Sequence, residues 1–174
     1  MIFVGVGTFA KGFDELVAGA DRAAAALGLE GFAQIGHSRV VPRHLAHARF
    51  LAPADLAARL GRSEVAICHA GMGLIGDALR AGCRIVLVPR QGAIGRRHPA
   101  NDQRLFAQRL ASLLPLRVCL DPAGLAGVVR AALDDPEPPP APPPSTVPAI
   151  LQAYLRTGAR GSSATPQSCP TSSS

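Results

Sequence analysis

The sequence has no tryptophan, one tyrosine and a single lysine, Lys11, among its 18 basic residues. Proteins that bind nucleic acid by stacking and charge runs need interleaved aromatic rings and basic blocks, and this sequence has neither. The formal net charge is nevertheless +6. Because arginine suits phosphate and carboxylate recognition through its planar fork, the composition favours an anionic small molecule or an anionic lipid surface over nucleic acid.

Long apolar runs and metal-ligand patterns are also missing. The longest apolar runs, such as residues 84–89, have the length of a strand, far below the roughly 20 residues that cross a bilayer. The apolar start of the chain lacks the basic residues and cleavage site of a secretory signal. The four cysteines have no metal-ligand spacing, and no paired-carboxylate metal motif occurs. We therefore expect a cytoplasmic protein with reduced core thiols, no metal and no resident cofactor.

Proline divides the chain into a folded body and a tail. Eight of the 16 prolines fall between Pro136 and Pro148, and the end of the chain is rich in serine, threonine and glycine. We predict one domain over residues 1–135, close to the commonest domain size. A proline-rich linker is expected at 136–146, a further helix at 147–157, and a disordered tail at 158–174.

Short apolar segments alternate with amphipathic ones along the folded body, which predicts an α/β fold with a Rossmann-like parallel sheet covered by helices on both faces. The strands are predicted at Ile2–Val6, Phe32–Gly36, Glu64–Cys68, Ile85–Val88 and Leu116–Leu120, with a short edge strand at Phe50 and Leu51 and an irregular segment at Ser38–Ala48. The helices are predicted at Phe13–Leu27, Ala54–Leu60, Leu74–Ala81, Ala100–Leu113 and Ala123–Leu133.

Three loops after predicted strands have the composition of a phosphate site: Gly5–Ala10, His69–Asp77 and Pro89–Gln103. Glycines let backbone N–H groups approach a phosphate, and a helix N-terminus adds partial positive charge. The first two loops match the dinucleotide pattern G-x-G-x-x-G/A by letter. The strand after the first loop ends in residues 34–36 without the acid that holds an adenosine ribose. The strand after the second loop ends in residues 88–90, again without an acid, although Arg90 could suit a 2′-phosphate. NAD(P) binding is therefore a minor alternative.

Asp77 lies four residues past Gly73, one turn into the predicted helix. A carboxylate there can accept two ribose hydroxyls while the helix N-terminus holds a diphosphate. A solvated first-turn aspartate that complements the helix dipole explains the same residue. Both interpretations stay open at this point.

These segments resemble the glycosyltransferase family 28 C-terminal domain, the donor half of MurG-like enzymes. The resemblance lies in residues 66–82, 85–90 and 101–103, with further similarity at 3–8, 13–17 and 34–36. It extends to the small PssE/EpsE-type exopolysaccharide glycosyltransferase subunits. The resemblance covers residues 1–133 and implies one half of a two-lobed GT-B fold.

The resemblance also implies a set of donor-binding residues. Asp77 would hold the uridine ribose, residues 101–103 would contact the sugar, and Arg90 would lie beside the nucleotide and offset charge on the leaving UDP. Two departures stand out: Leu74 and Asp102 occupy positions where the family usually has serine and histidine. The implied substrate-binding residues are Gly7, Thr8, His69, Ala70, Gly71, Gly73, Asp77, Arg90, Asn101, Asp102 and Gln103.

The activity implied by the resemblance is an inverting, UDP-sugar-dependent hexose transfer to a lipid-linked acceptor in polysaccharide biosynthesis. The general base would come from a membrane-anchored, PssD-like partner that carries the acceptor lobe, since no catalytic residue is assigned in this chain. This partner would hold the subunit at the cytoplasmic face of the membrane. A non-catalytic, nucleotide-sugar-binding regulatory subunit is the alternative from the same resemblance.

Overall fold

Strands and helices alternate along the chain in the computed structural model, which describes residues 1–92 and 102–141. The strands are β1 (Ile2–Gly5), β2 (Gly31–Gln34), β3 (Ala46–Ala48), β4 (Val65–Cys68), β5 (Arg84–Leu87) and β6 (Arg117–Val118). The α-helices are α1 (Asp14–Leu27), α2 (Pro53–Leu60), α3 (Met72–Arg80), α4 (Arg104–Ala111) and α5 (Leu125–Leu133), the last preceded by a short 3-10 turn at Pro122–Gly124.

The six strands of the described part form one parallel sheet in the order β3-β2-β1-β4-β5-β6. The order reverses between β1 and β4, because the chain builds the sheet outward from β1 first in one direction and then in the other. In such sheets a crevice opens at the carboxyl ends of the strands at this reversal. The predicted Rossmann-like α/β fold is confirmed.

Helices cover both faces of the sheet, so each strand is buried on both sides. In β1, Ile2 and Val4 pack in the layer that contains α1 and α5, whereas Phe3 packs against α2, α3 and α4. All three side chains are fully buried, and each contributes roughly 1.5–3 kcal/mol through its removal from water. This burial explains why the strands are continuous apolar runs and do not alternate with polar residues.

Two carboxylates of α1 fasten the connector between β2 and β3. Asp14 accepts the amide protons of residues 39 and 40, over N···O distances of 2.7 and 3.2 Å. Asp21 accepts those of residues 43–45, each over 2.9 Å. Partial burial acts to raise the pKa of Asp21, but the three amide hydrogen bonds outweigh it and leave the pKa below its usual value. Both side chains therefore hold the connector against α1.

The edge strand differs from the prediction. It is Ala46–Ala48, within the segment predicted to be irregular, and Phe50 and Leu51 lie outside any strand. The reason is the preceding connector: Asp21 holds its backbone, and buried Leu45 anchors it in the core. The chain therefore enters β3 already aligned beside β2, although the strand itself is short and mostly exposed.

The starts of α3, α4 and α5 also differ from the prediction, and α5 begins at Leu125, after the 3-10 turn, and not at Ala123. Helix α3 begins at Met72 and not at Leu74, because Gly71 is already in position as the extended N-cap residue and its carbonyl accepts the amide proton of Ile75. Gly73 therefore lies inside the first helical turn. Helix α4 begins at Arg104 within the described residues, whereas the predicted start at Ala100 lies outside them.

The last described residues run back along the amino ends of β5 and β6. Arg84 donates to the backbone carbonyls of Asp135 and Glu137, over 2.9 and 3.0 Å, and Arg117 pairs with the carboxylate of Asp135 over 2.7 Å. The predicted helix at 147–157 and the tail at 158–174 lie outside the described residues, so the predicted domain limits stay predictions.

No helix within residues 1–92 and 102–141 has the length and apolar character needed to cross a membrane.

Candidate functional site

A cleft of about 310 Å³ opens where the strand order reverses, at the carboxyl ends of β1 and β4. It brings together loops that the sequence analysis singled out separately. The residues that line it are Gly7, Thr8, Gln34, Leu56, His69, Gly71, Met72, Gly73, Leu74 and Asp77.

The loop between β1 and α1 approaches the cleft at a glycine. Gly7 has φ +73°, in the left-handed region, where other residues are strained. A Cβ atom there would lie 2.5 Å from Cε1 of His69. Both the backbone conformation and the close approach of the histidine ring therefore require glycine at this position.

The ring of His69 lies between this loop and the start of α3. A Cβ atom on Gly71 would collide with Nε2 of His69, so the ring contacts glycine backbone on both sides. Burial lowers the pKa of His69, and the nearby charge of Arg90 lowers it further. The imidazole is therefore neutral at neutral pH. Its buried Nδ1 atom has no hydrogen-bond partner among the described residues.

The first turn of α3 presents free amide protons to the cleft. The N-cap residue Gly71 supplies no side-chain hydrogen bond, and the turn holds no acidic residue. The first amides of a helix have no acceptor within it, so those of Met72, Gly73 and Leu74 are available to a ligand. A Cβ atom on Gly73 would meet nothing within 4 Å. This helix end has the geometry and partial positive charge of an anion site.

Asp77 lines the cleft one turn further into α3, where its side chain is 37% exposed. Its Oδ1 atom lies 2.5 Å from Nη2 of Arg80, one helical turn away. Such an exposed pair contributes about 0–1 kcal/mol, so a ligand hydroxyl can displace it easily. The geometry is compatible with both interpretations of Asp77.

The structure places Arg90 against the β1–α1 loop, and its predicted role beside the nucleotide stays a prediction. It is 8% exposed, and its guanidinium donates to the carbonyl oxygens of Gly12 and Val6. The rings of Phe13 and Phe9 flank it, with centroids 4.5 and 5.2 Å away. The guanidinium therefore binds the β1–α1 loop, and Arg90 does not line the cleft.

The predicted sugar-contacting residues lie behind the cleft where the structure describes them. Gln103 donates from Nε2 to the carbonyl of Ala70 over 3.0 Å, and its Oε1 accepts the amide proton of Arg90 over 3.2 Å. Asp102 pairs with Arg104 at the start of α4. Asn101 lies outside the described residues. Ala70, Asp102 and Gln103 do not line the cleft.

Four residues that line the cleft are not among the predicted substrate-binding residues: Gln34, Leu56, Met72 and Leu74. Gln34 was identifiable in principle, because it ends β2 and pairs in register with Gly5 of β1. Leu56 comes from α2, which no local pattern connects to the cleft. Within residues 1–92 and 102–141, no three metal-ligating side chains come together.

The model of the glycosyltransferase family 28 C-terminal domain matches residues 1–147. The chain belongs to this family. The match contains all three loops that were predicted to form a phosphate site, and the predicted family 28 resemblance is confirmed.

Among curated proteins, this family 28 domain is similar to a UDP-N-acetylglucosamine–N-acetylmuramyl-(pentapeptide) pyrophosphoryl-undecaprenol N-acetylglucosamine transferase of Acidithiobacillus ferrooxidans. The two are 34% identical over 83 residues, which are 48% of this chain and 23% of that enzyme. The matched region thus spans about a quarter of the relative's length.

Solved glycosyltransferases share the fold of this family 28 domain. The calicheamicin glycosyltransferase CalG4 superimposes with a TM-score of 0.60 at 19% identity, covering 78% of this chain and 34% of CalG4. MurG of Acinetobacter baumannii gives a TM-score of 0.53 at 20% identity, covering 75% of this chain and 41% of MurG. The family 28 domain therefore has the fold of one half of a GT-B enzyme.

Proposed function

We propose that this chain is the donor-binding subunit of an inverting, UDP-sugar-dependent glycosyltransferase that transfers a hexose to a lipid-linked acceptor in exopolysaccharide biosynthesis. The observation that carries this proposal is the cleft at the β1–β4 reversal, in which the open first turn of α3 and the carboxylate of Asp77 lie one turn apart. A diphosphate at the helix end and a ribose at Asp77 match that spacing.

The charge of the site supports an anionic ligand. The amides of Met72, Gly73 and Leu74 and the helix dipole supply partial positive charge, and the first turn of α3 holds no acid to neutralise it. The neutral ring of His69 closes one side of the cleft without adding charge. Negative charge on a phosphate is therefore stabilised by backbone donors that are already in place.

The reaction that we propose makes one bond and breaks one. The acceptor hydroxyl oxygen bonds to C1 of the sugar as the bond from C1 to the β-phosphate oxygen breaks, which inverts the configuration at C1. The electron pair leaves with UDP, whose growing charge the α3 amides stabilise. The hydroxyl proton passes to a general base, which we assign to a partner subunit.

The partner in this proposal supplies the acceptor half and the membrane anchor. The matched region corresponds to 23% of the curated relative and 34–41% of the CalG4 and MurG structures named above. The formal charge of +6 would assist association with anionic lipid at the cytoplasmic face.

Calorimetry on the full chain tests the donor site. We expect saturable binding of UDP and of UDP-sugars and none of NADPH, and NADPH binding without UDP binding would contradict the proposal. Asp77→Asn should weaken UDP binding by roughly 10- to 100-fold, since a charged acceptor of ribose hydroxyls is lost. The matched control is Asp55→Asn, an exposed aspartate in the first turn of α2.

The variant Arg80→Ala separates the two interpretations of Asp77. If Asp77 binds the ribose, removal of its competing partner leaves UDP affinity unchanged or higher. If Asp77 only supports α3 through its pair with Arg80, the substitutions at both positions weaken binding alike.

Transfer itself is tested by co-expression of the chain with a candidate membrane-anchored partner and a lipid acceptor. We expect sugar transfer that persists in EDTA, because backbone amides stabilise the leaving group in this proposal. Donor binding without transfer to any acceptor would favour the regulatory alternative. Leu74 gives that alternative a structural basis: it packs against Gly5 and offers no hydroxyl at the helix start.

A further inference from the structure

Arg90 connects the end of β5 to the β1–α1 loop. Its two terminal nitrogens donate to Gly12 and Val6, 78 and 84 residues earlier in the chain. A guanidinium fork that reaches two carbonyls fixes both the distance and the orientation of the backbone that carries them. The loop that presents Gly7 to the cleft is therefore fixed by a side chain outside the cleft.

Gln103 extends this connection to the β4–α3 loop. Its backbone amide donates to the carbonyl of Arg90 over 2.8 Å, and its Oε1 accepts from the amide of Arg90 over 3.2 Å. Its Nε2 donates to Ala70, the residue between His69 and Gly71. Both ends of the side-chain amide are thus bonded to backbone. The two residues join both glycine loops of the cleft to the end of β5.

The charge of Arg90 has no carboxylate partner. All 12 aspartates and glutamates of the chain lie within residues 1–92 and 102–141, and none forms an ion pair with Arg90. Among the described residues the guanidinium contacts carbonyl oxygens and aromatic faces, and a buried cation with such partners is costly. An anion bound at the start of α3 would lower that cost, because the charge of Arg90 already acts on His69 in the same cleft.

We propose that Arg90 and Gln103 are positioning residues, which fix the two glycine loops relative to each other so that the anion site at α3 is preformed. This inference rests on the proposed function and changes the role that the family resemblance implies for both residues. Neither side chain touches the donor in this proposal. Both act through the backbone of Gly12, Val6 and Ala70.

Binding of UDP without a sugar distinguishes positioning from sugar contact. If Gln103 contacts the sugar, Gln103→Leu weakens binding of UDP-sugar but not of UDP. If it positions the loops, UDP itself binds roughly 10-fold more weakly or worse. The matched control is Gln108→Leu, an exposed glutamine on α4, for which we expect a change within about twofold.

Substitutions of Arg90 test whether the guanidinium must bind both carbonyls, those of Gly12 and Val6. Arg90→Met should weaken UDP binding by roughly 10- to 100-fold, and Arg90→Lys should restore only part of it, since lysine keeps the charge but cannot hold both carbonyls. Arg109→Lys, at an exposed arginine of α4, is the control.

The double variant Arg90→Met/Gln103→Leu tests whether the two residues belong to one network. Its UDP affinity should be about equal to that of whichever single variant binds UDP more weakly. If the fold-losses in UDP affinity of the two single variants multiply in the double variant, the proposal is overturned.

Hydrogen exchange on the unliganded full chain gives a readout that needs no donor. Gln103→Leu and Arg90→Lys should each speed exchange in residues 6–12 and also in residues 69–73, whereas Arg109→Lys should change neither. Faster exchange in only one loop, or in none, would overturn the proposal. If the wild-type chain fails to bind UDP, the proposed function fails, and the exchange data still decide this inference.

Discussion

Helices α3 and α4 follow neighbouring strands and begin at the same edge of the sheet, but their first turns are built in opposite ways. Helix α3 begins at Met72, and its N-cap residue Gly71 gives it no side-chain cap; its first turn holds no acid. Before α4, Asp102 accepts the amide proton of Arg104 over 3.0 Å and pairs with its guanidinium. One helix start is open, and the other carries its own carboxylate.

The difference shows how one fold provides both a ligand site and a closed surface. A helix N-terminus attracts negative charge, and the chain either supplies that charge or leaves it to a ligand. At α4 the aspartate supplies it. At α3 two glycines, Gly71 and Gly73, keep the approach clear.

The largest expected effect comes from giving α3 a carboxylate of its own. Gly73→Asp places the side chain in open space beside the free amides, where it occupies the anion site and repels a diphosphate. UDP affinity measured by calorimetry should fall by about 100-fold or more. Thermal stability should not fall, because an acid in the first turn is worth about 0.3–1 kcal/mol.

Two controls sharpen this result. Gly73→Ala should raise stability by up to about 1 kcal/mol, through helix propensity, while it lowers affinity less than the aspartate does. Gly127→Asp, in the first turn of α5 with open space around it, should leave UDP binding unchanged. Wild-type affinity in Gly73→Asp would show that the anion does not bind at α3.

The two helix starts should also differ in their response to pH. Burial lowers the pKa of His69 below 6.5, so the unfolded chain binds more protons and stability falls as the pH drops below 6.5. The bonds from Arg104 lower the pKa of Asp102 from 3.8 to about 2, so its contribution is present above 3.8 and is lost as the pH falls through 2.

Denaturant titrations across pH measure both windows. His69→Gln should flatten the stability curve just below pH 6.5, whereas Asp102→Ala should change the shape of the curve only below about pH 4. The same shape change from both variants in one window would contradict the assignment.

The smallest expected effect is that of Asp102→Ala on the ligand. Because Asp102 serves the start of α4, we expect a slightly lower melting temperature and UDP-sugar affinity within about twofold of wild type. A selective loss of UDP-sugar binding, with UDP binding unchanged, would instead support the sugar contact that the family resemblance implies for Asp102.

The sequence predicted the parts of the site that depend on neighbouring residues. The glycine spacing and Asp77 are local features, and a parallel α/β fold brings such loops to one edge. The roles of Arg90 and Gln103 depend on partners 33 to 84 residues away, which no spacing reveals. The edge strand β3 escaped for the same reason, since Asp21 of α1 holds the backbone that leads into it.

The carboxylates of α1 also affect how readily the connector opens. Asp14 and Asp21 together accept five amide protons from residues 39–45, none of which belongs to a helix or strand. A connector of this kind would ordinarily open on its own and exchange its amides quickly. We therefore expect those amides to exchange more slowly than in a free connector, because their release requires breaking the hydrogen bonds to α1.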